Sequence, residues 1–308
     1  MSDADMSGTD RFPSYADLHR HLDGSLRLET LRELADEIGL RVPEQLYFYR
    51  GMGLQEALDR FATTLAVMQT PAAVRRVAAE VCEDAAREGV TTLELRFAPQ
   101  LHRGAPLEAI IEAAADGVDG RAGLLLCGLY GEPPSVLEAL VEAGRRNPAV
   151  VGIDLAGGPQ TGDQFGMESY RPAFRRAAEQ GLGLTIHAGE GRPADEIRRA
   201  LEVGATRIGH GTSLLDDPEL VEEVIRREIV IEACPTSNVQ TGAIARFEDH
   251  PLVEWLTLGV CACLNTDNTL FSQVDSRGEH ERARQLEGMS DERFRQLVEN
   301  GHRGAFRR

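Results

Sequence analysis

The sequence predicts an α/β fold of the (β/α)8 barrel type. Two observations carry this reading. From about residue 85 onward, short apolar, β-branched runs alternate regularly with amphipathic stretches that carry helix start and stop signals. The apolar runs are near-continuous rather than alternating, as expected of parallel strands covered by helices. Counting "YADLHRH" (15–21) as the first strand gives eight strands in a chain of 308 residues, a size that suits such a barrel.

The elements follow in order. "YADLHRH" (15–21) is the first strand, and helical material fills residues 27–88 behind it. Within that insertion, "TPAAVRRVAAEVCEDAAREG" has Thr70 as N-cap, Pro71 at the first helical position and Gly89 as stop. An insertion after the first strand lies on the side where a barrel carries its active site, so part of it is expected to form a lid. Strands are then predicted at 89–99, 122–130, 149–157, 182–190, 206–211, 229–235 and 260–268. Helices fall between them at 106–118, 133–146, 169–181, 193–204, 216–228 and 250–259. The helix at 216–228 has Asp217 as cap and Pro218 at its first position. The polar, acidic stretch 1–12 reads as a disordered lead, and 13–308 as one domain.

Composition excludes several chemistries. All 33 basic residues are arginine. A P-loop, a pyridoxal-phosphate Schiff base, a kinase strand lysine and a metal pair bridged by a carboxylated lysine therefore cannot be built. A net charge of −17 argues against binding nucleic acid polymers or anionic membranes. No apolar run approaches a membrane span, and the N-terminus has no signal-peptide core. Five cysteines (82, 127, 234, 261 and 263) lie in apolar runs without a CxxC pair, as buried reduced thiols of a cytoplasmic protein would.

The chemistry-bearing residues gather where strands end, the face on which barrels place their sites. Four of the 8 histidines, His19, His21, His187 and His210, are at such ends, while His102, His250, His280 and His302 are scattered. In an extended segment residues i and i+2 point the same way, so His19 and His21 can aim two imidazoles at one point. That is half of a tetrahedral zinc site, and His187 with Asp267 would complete a ligand set with room for water. A lone HxH equally suits two hydrogen-bonded polar side chains; the other two candidates at strand ends favour the metal. Glu190 lies three residues past His187 in a glycine-bracketed turn, where a carboxyl group can exchange a proton with a bound heterocycle. His210 sits between two glycines, suited to orienting a metal-bound water.

The ordered set "HRHLDGS", "GIDLAGG", "HAGEG", "GHG", "CPTSN" and "LNTDN" resembles the adenosine deaminase family from about residue 12 to about residue 305. The resemblance implies a (β/α)8 barrel with one catalytic zinc ion per chain, held by His19, His21, His187 and Asp267. It implies hydrolytic deamination of adenosine and 2′-deoxyadenosine, in which hydroxide on the zinc attacks purine C6. Glu190 would protonate ring nitrogen N1, His210 would position the hydroxide, and Asp267 would contact it too. Asp23 would bind the ribose 5′-hydroxyl, the Gly157 backbone purine N3, and His21 would also face the substrate.

Asn268 stands where many family members have a second aspartate. An amide donates a hydrogen bond without any shifted pKa, so Asn268 is expected to keep a contact to purine N7. The "GLYGEPP" stretch (128–134) departs from the commoner sequence, and the connection from Leu101 to Gly123 is shorter than in long members. Substrate identity therefore stays open between adenosine and another 6-aminopurine: adenine, aminodeoxyfutalosine, or an N6-substituted nucleoside or nucleotide. A carboxylate at Asp23 would repel a 5′-phosphate, which argues against AMP. Other readings are an unrelated zinc hydrolase and a non-catalytic nucleoside-binding barrel. The second would be suggested by loss of Glu190 or a zinc ligand, and all of these are present.

Overall fold

The computed structural model describes residues 14–306; the stretch 1–12, expected to be a disordered lead, lies outside them. Eight strands pair in parallel and in chain order: β1 (Tyr15–His21), β2 (Val90–Phe97), β3 (Gly123–Leu129), β4 (Val150–Ala156), β5 (Gly183–Ala188), β6 (Arg207–His210), β7 (Val230–Ala233) and β8 (Cys261–Leu264). The seam between β8 and β1 is joined just beyond β8. There the His21 amide donates to the Asp267 carbonyl at 2.7 Å and the Asp267 amide to the His19 carbonyl at 2.8 Å. Below these, the Asn265 side chain accepts from the Leu18 amide at 2.8 Å, replacing a backbone rung. The result is a nearly closed barrel ringed by helices.

The helix signals act as read. Thr70 accepts from the Ala73 amide at the start of Pro71–Glu88, and Asp217 from the Leu220 amide at the start of Pro218–Arg226. Two helices of the insertion, Leu28–Glu37 and Leu54–Val67, precede Pro71–Glu88. Several predicted strands were too long. Those read as 182–190, 229–235 and 260–268 are Gly183–Ala188, Val230–Ala233 and Cys261–Leu264, because the chain leaves the sheet within or just before the polar motifs. Residues 236–240, read as no element, and Pro235, read as the end of a strand, form a short helix, Pro235–Gln240. All five cysteines are free; four are buried, but Cys261 is only half-buried.

The barrel interior is charged. Glu94 and Arg96 on β2, Asp154 on β4, Arg207 on β6 and Glu232 on β7 are all at least 98% buried. They satisfy one another, as buried charges must. Arg96 donates to Asp154 at 2.9 Å and to Glu232 at 2.7 Å, and Arg207 donates to Glu232 at 2.7 Å and Glu94 at 2.5 Å. Phe306 closes the bottom. Its amide donates to Glu94 at 2.6 Å, and Arg207 stacks on its ring at 3.6 Å.

Candidate active site

Strand β1 gains an extra residue against β2 between Asp17 and Arg20. Such a bulge re-aims side chains. Asp17 and Arg20 pair with each other at 2.9 Å and with Ser276, while His19 and His21 face the β5 histidine. His21 Nε2 lies 3.3 Å from His187 Nε2 and 3.4 Å from Asp267 Oδ1, and His19 Nε2 lies 3.8 Å from the same oxygen. Ligand atoms about 2.0–2.1 Å from a tetrahedral zinc ion lie roughly 3.4 Å apart, a spacing these three pairs approach; His19, His187 and His210 form one group of side chains that could hold an ion, and His19, Cys234 and Asp267 another.

The interior charges orient these ligands from behind. His19 Nδ1 donates to Glu232 at 2.7 Å, and His187 Nδ1 pairs with Asp154 at 3.1 Å. With Nδ1 carrying the proton, each Nε2 is a free lone pair directed at the ligand cluster. His19 Nε2 is buried without a hydrogen-bond partner, an orphaned acceptor that a cation would satisfy. Burial, reinforced by Arg96, holds His19 well below the ordinary imidazole range, in its neutral form. His210 and Cys234 also lie within 4.8 Å of members of this cluster.

Polar contacts hold Asp267 and the two side chains beside the cluster, His210 and Glu190. Asp267 carries its second oxygen to the Ser237 hydroxyl at 2.6 Å. His210 Nε2 lies 3.6 Å from Glu190, and its Nδ1 meets the Asn238 amide at 3.0 Å. Glu190 accepts from the Thr241 hydroxyl at 2.8 Å, and its side chain is only 7% exposed. Burial raises the Glu190 pKa and pushes His210 down to about 4. The glycines about His210 have a cause: a Cβ at Gly209 would sit 3.0 Å from the His19 ring.

Glu190, His210, Asp267 and Asn268 line an inner pocket together with Phe61 and Leu58 of the insertion helix. It adjoins a cavity of about 240 Å³ bounded by His21, Asp23, Leu65, Tyr130 and Gly157. Helix Leu54–Val67 thus walls the site on one side. Asp23 Oδ1 is buried without a partner, and burial, followed by the nearby Asp267, pushes its pKa up to about 7. The Asn268 oxygen packs onto Gly24, where a Cβ would lie 1.9 Å away.

The adenosine deaminase family model matches residues 14–308. The chain belongs to the adenosine deaminase family. A curated adenosine deaminase of Shewanella denitrificans is 35% identical over 314 residues, covering 94% of this chain and 93% of its own. Among solved structures, an adenine deaminase from Arthrobacter aurescens superposes with a TM-score of 0.87 at 28% identity, covering 96% of this chain and 94% of its own. The Arabidopsis N6-mAMP deaminase does so with a TM-score of 0.86 at 27% identity, covering 96% and 94%. This member of the adenosine deaminase family is thus a hydrolase that deaminates purines. Among its described residues no helix is long and apolar enough to cross a membrane.

All of the site residues named from the sequence, His19, His21, Asp23, Gly157, His187, Glu190, His210, Asp267 and Asn268, border this one region. Sequence reasoning missed the residues that hold them: Asp154, Glu232, Ser237, Asn238 and Thr241. For Asp154 and Glu232 a signal existed, a single acid inside an otherwise apolar strand in "VVGIDLAG" and "IVIEACP".

Proposed function

We propose that this protein hydrolytically deaminates adenosine and 2′-deoxyadenosine with one zinc ion held by His19, His21, His187 and Asp267. The observation that carries this reading is the convergence of Glu190, His210 and Asp267 on one pocket beside that ligand set. Bound zinc supplies a Lewis acid that lowers the pKa of water from 15.7 to about 7.

The chain's own groups do the rest. Glu190, its pKa raised by burial, holds a proton for purine N1; protonation there makes C6 electrophilic. His210 stays neutral at pH 7 because burial depresses it. With the Asn238 amide donating to Nδ1, its proton sits on Nε2 and orients the attacking water. Asp267 accepts the proton that water releases. Water adds at C6, the proton taken up by Asp267 passes to the amino group, and ammonia leaves as the C6 hydroxyl becomes the 6-oxo group and returns a proton to Glu190. Phe61 and Leu58 cover the ring and exclude bulk water, and Asn268 donates to N7.

The nucleoside preference rests on the outer cavity. Its described lining contains no cation, and it presents the unpartnered Asp23 carboxyl group. That group suits a ribose hydroxyl, and its ionised fraction disfavours a phosphate. The test is ultraviolet detection of 6-amino loss on zinc-loaded protein with adenosine, 2′-deoxyadenosine, adenine, AMP and an N6-methylated nucleoside, beside a Glu190→Gln control. Adenosine is expected to turn over fastest. Preference for adenine or for a nucleotide would overturn the substrate assignment while keeping the chemistry.

A further inference from the structure

One short turn touches all three polar groups of the site. Ser237 donates to Asp267, Asn238 meets His210 Nδ1, and Thr241 donates to Glu190, at 2.6, 3.0 and 2.8 Å. The three contacts fall within five residues of chain, Ser237 to Thr241, around the helix Pro235–Gln240. If this turn moves, Asp267, His210 and Glu190 lose their partners together.

The turn cannot hold itself. Six residues are too few for a stable helix, and Pro, Thr, Ser and Asn are poor helix formers. Its N-cap, Cys234, makes no side-chain capping bond. The bonds that fix its start come from elsewhere. Glu279 accepts from the Thr236 amide at 2.8 Å and from the Thr236 hydroxyl at 2.5 Å, and Arg282 donates to that hydroxyl at 2.8 Å. Glu279 is 1% exposed and belongs to the helix Ser276–Arg284, which follows β8. The start of that helix is tied in turn to β1, the strand bearing His19 and His21. Ser276 donates to Asp17 at 3.1 Å, and Arg20 donates to Ser276 at 2.8 Å.

We propose that Glu279 is a positioning residue. Through Thr236 it fixes the Ser237–Thr241 turn, and the turn sets Asp267, His210 and Glu190 relative to the ligand strand. Glu279 lines neither of the two site pockets, so its effect reaches substrate only through the turn. The assignment rests on the deaminase reading above for its kinetic consequences, but not for its effect on metal retention through Ser237 and Asp267.

The test compares Glu279→Ala, Glu279→Gln and Thr236→Val with wild type in the full chain. Glutamine keeps one acceptor for the Thr236 amide and offers its NH2 to the Thr236 oxygen, so it should hold the turn. Glu279→Ala is expected to lower kcat for adenosine by roughly tenfold to a hundredfold, with KM within about threefold. It should also weaken zinc retention against a chelator by about tenfold. Glu279→Gln should restore both to within about threefold of wild type. Adding Asn238→Ala to Glu279→Ala should cost less than the product of the separate effects, because both act through one turn.

Wild-type kcat and zinc retention in Glu279→Ala would overturn the proposal. So would failure of glutamine to rescue, or additive effects with Asn238→Ala. If Glu279→Ala does not fold, Thr236→Val carries the test from the other end of the same pair; an unchanged kcat in it sinks the idea. If wild type turns over no adenosine, the function reading fails, and the zinc measurement alone decides the role of Glu279.

Discussion

Replacing Glu232 by glutamine should damage both stability and metal retention, and the structure gives the size of each. The Glu232 carboxylate accepts four hydrogen bonds: His19 at 2.7 Å and Arg96 at 2.7 Å on one oxygen, Arg207 at 2.7 Å and Thr185 at 2.8 Å on the other. A glutamine NH2 must face one of these two pairs of donors. Facing Arg207 and Thr185, it opposes a guanidinium. Facing His19, it forces Nδ1 to accept, moves the imidazole proton to Nε2 and removes that nitrogen from the ligand set. Breaking a buried, hydrogen-bonded charge cluster by removing one partner costs about 3–5 kcal/mol. The same neighbours also set the Glu232 pKa. Burial alone would raise its pKa, but Arg96 and Arg207 outweigh this and bring it from 4.5 to about 2, which corresponds to about 3 kcal/mol. The folded pKa lies below the unfolded one. This stability is therefore present above pH 4.5 and is lost as pH falls toward 2. Urea unfolding should show Glu232→Gln destabilised by about 3 kcal/mol at pH 5–8, with the gap to wild type narrowing below pH 4.5. Chelator competition should show zinc held about 10- to 100-fold more weakly. A variant within about 1 kcal/mol of wild type at pH 7 that keeps zinc within about threefold would refute both the tautomer argument and the charge argument.

Three further outcomes are expected. Glu190→Gln should lose about 10²- to 10⁴-fold in kcat on adenosine while binding zinc as wild type does, measured by steady-state kinetics and metal analysis; a smaller loss would remove Glu190 as proton donor. Asn268→Ala should lower kcat/KM for adenosine by about tenfold or more and have no effect on 7-deazaadenosine, which lacks the N7 acceptor; an unchanged kcat/KM for adenosine would sink the N7 contact. Gly24→Ala places a methyl group 1.9 Å from the Asn268 oxygen, so it should reproduce the kinetic defect of Asn268→Ala with zinc still bound, and normal kinetics would show that Asn268 does not need its present place.

The barrel was legible because its strands are buried on both faces and punctuated by Gly, Pro and capping residues. Thr70, Asp217 and Gly89 act as local signals whose partners are three or four residues away. The proposed ligand set draws on a similar signal: His19, His21, His187 and Asp267 stand at or near the ends of apolar runs, and the structure brings their side chains to one region. The strand ends were overdrawn because "HAGEG" and "LNTDN" leave the sheet while still following an apolar run. What escaped depends on distant pairing. An acid in "IVIEACP" is visible, but nothing local says that its partners are Arg96 and Arg207, 136 and 25 residues away. The β1 bulge escaped because alternation places Asp17 on the side of His19, whereas it faces Ser276 and Thr266. The Pro235–Gln240 helix escaped because its composition favours a loop, and its anchors are distant: Glu279 and Arg282 hold Thr236 at its start, and the Gly51 and Met52 amides donate to its end.

The backbone at the site shows why so much of the molecule is spent on holding it. His210 has φ 67° and Asp267 has φ 63°, left-handed values for residues with a Cβ. Among the described residues, the other non-glycine residues with such values, Asp119, Glu228 and Gln273, are at helix ends, where this conformation is common. At a strand end it costs about 1–3 kcal/mol and persists only if the surroundings enforce it. They do so twice over. Asp267 is clamped by both backbone bonds that close the barrel onto β1 and by Ser237. His210 is held between the Asn238 amide and the glycine beside it, whose amide donates to the Ala188 carbonyl at 3.0 Å. The rungs that close the barrel are therefore the same bonds that aim the Asp267 carboxylate at His19 and His21. In this chain, sealing the fold and assembling the site are one structural event, and each ligand strand is fixed by the residue opposite it.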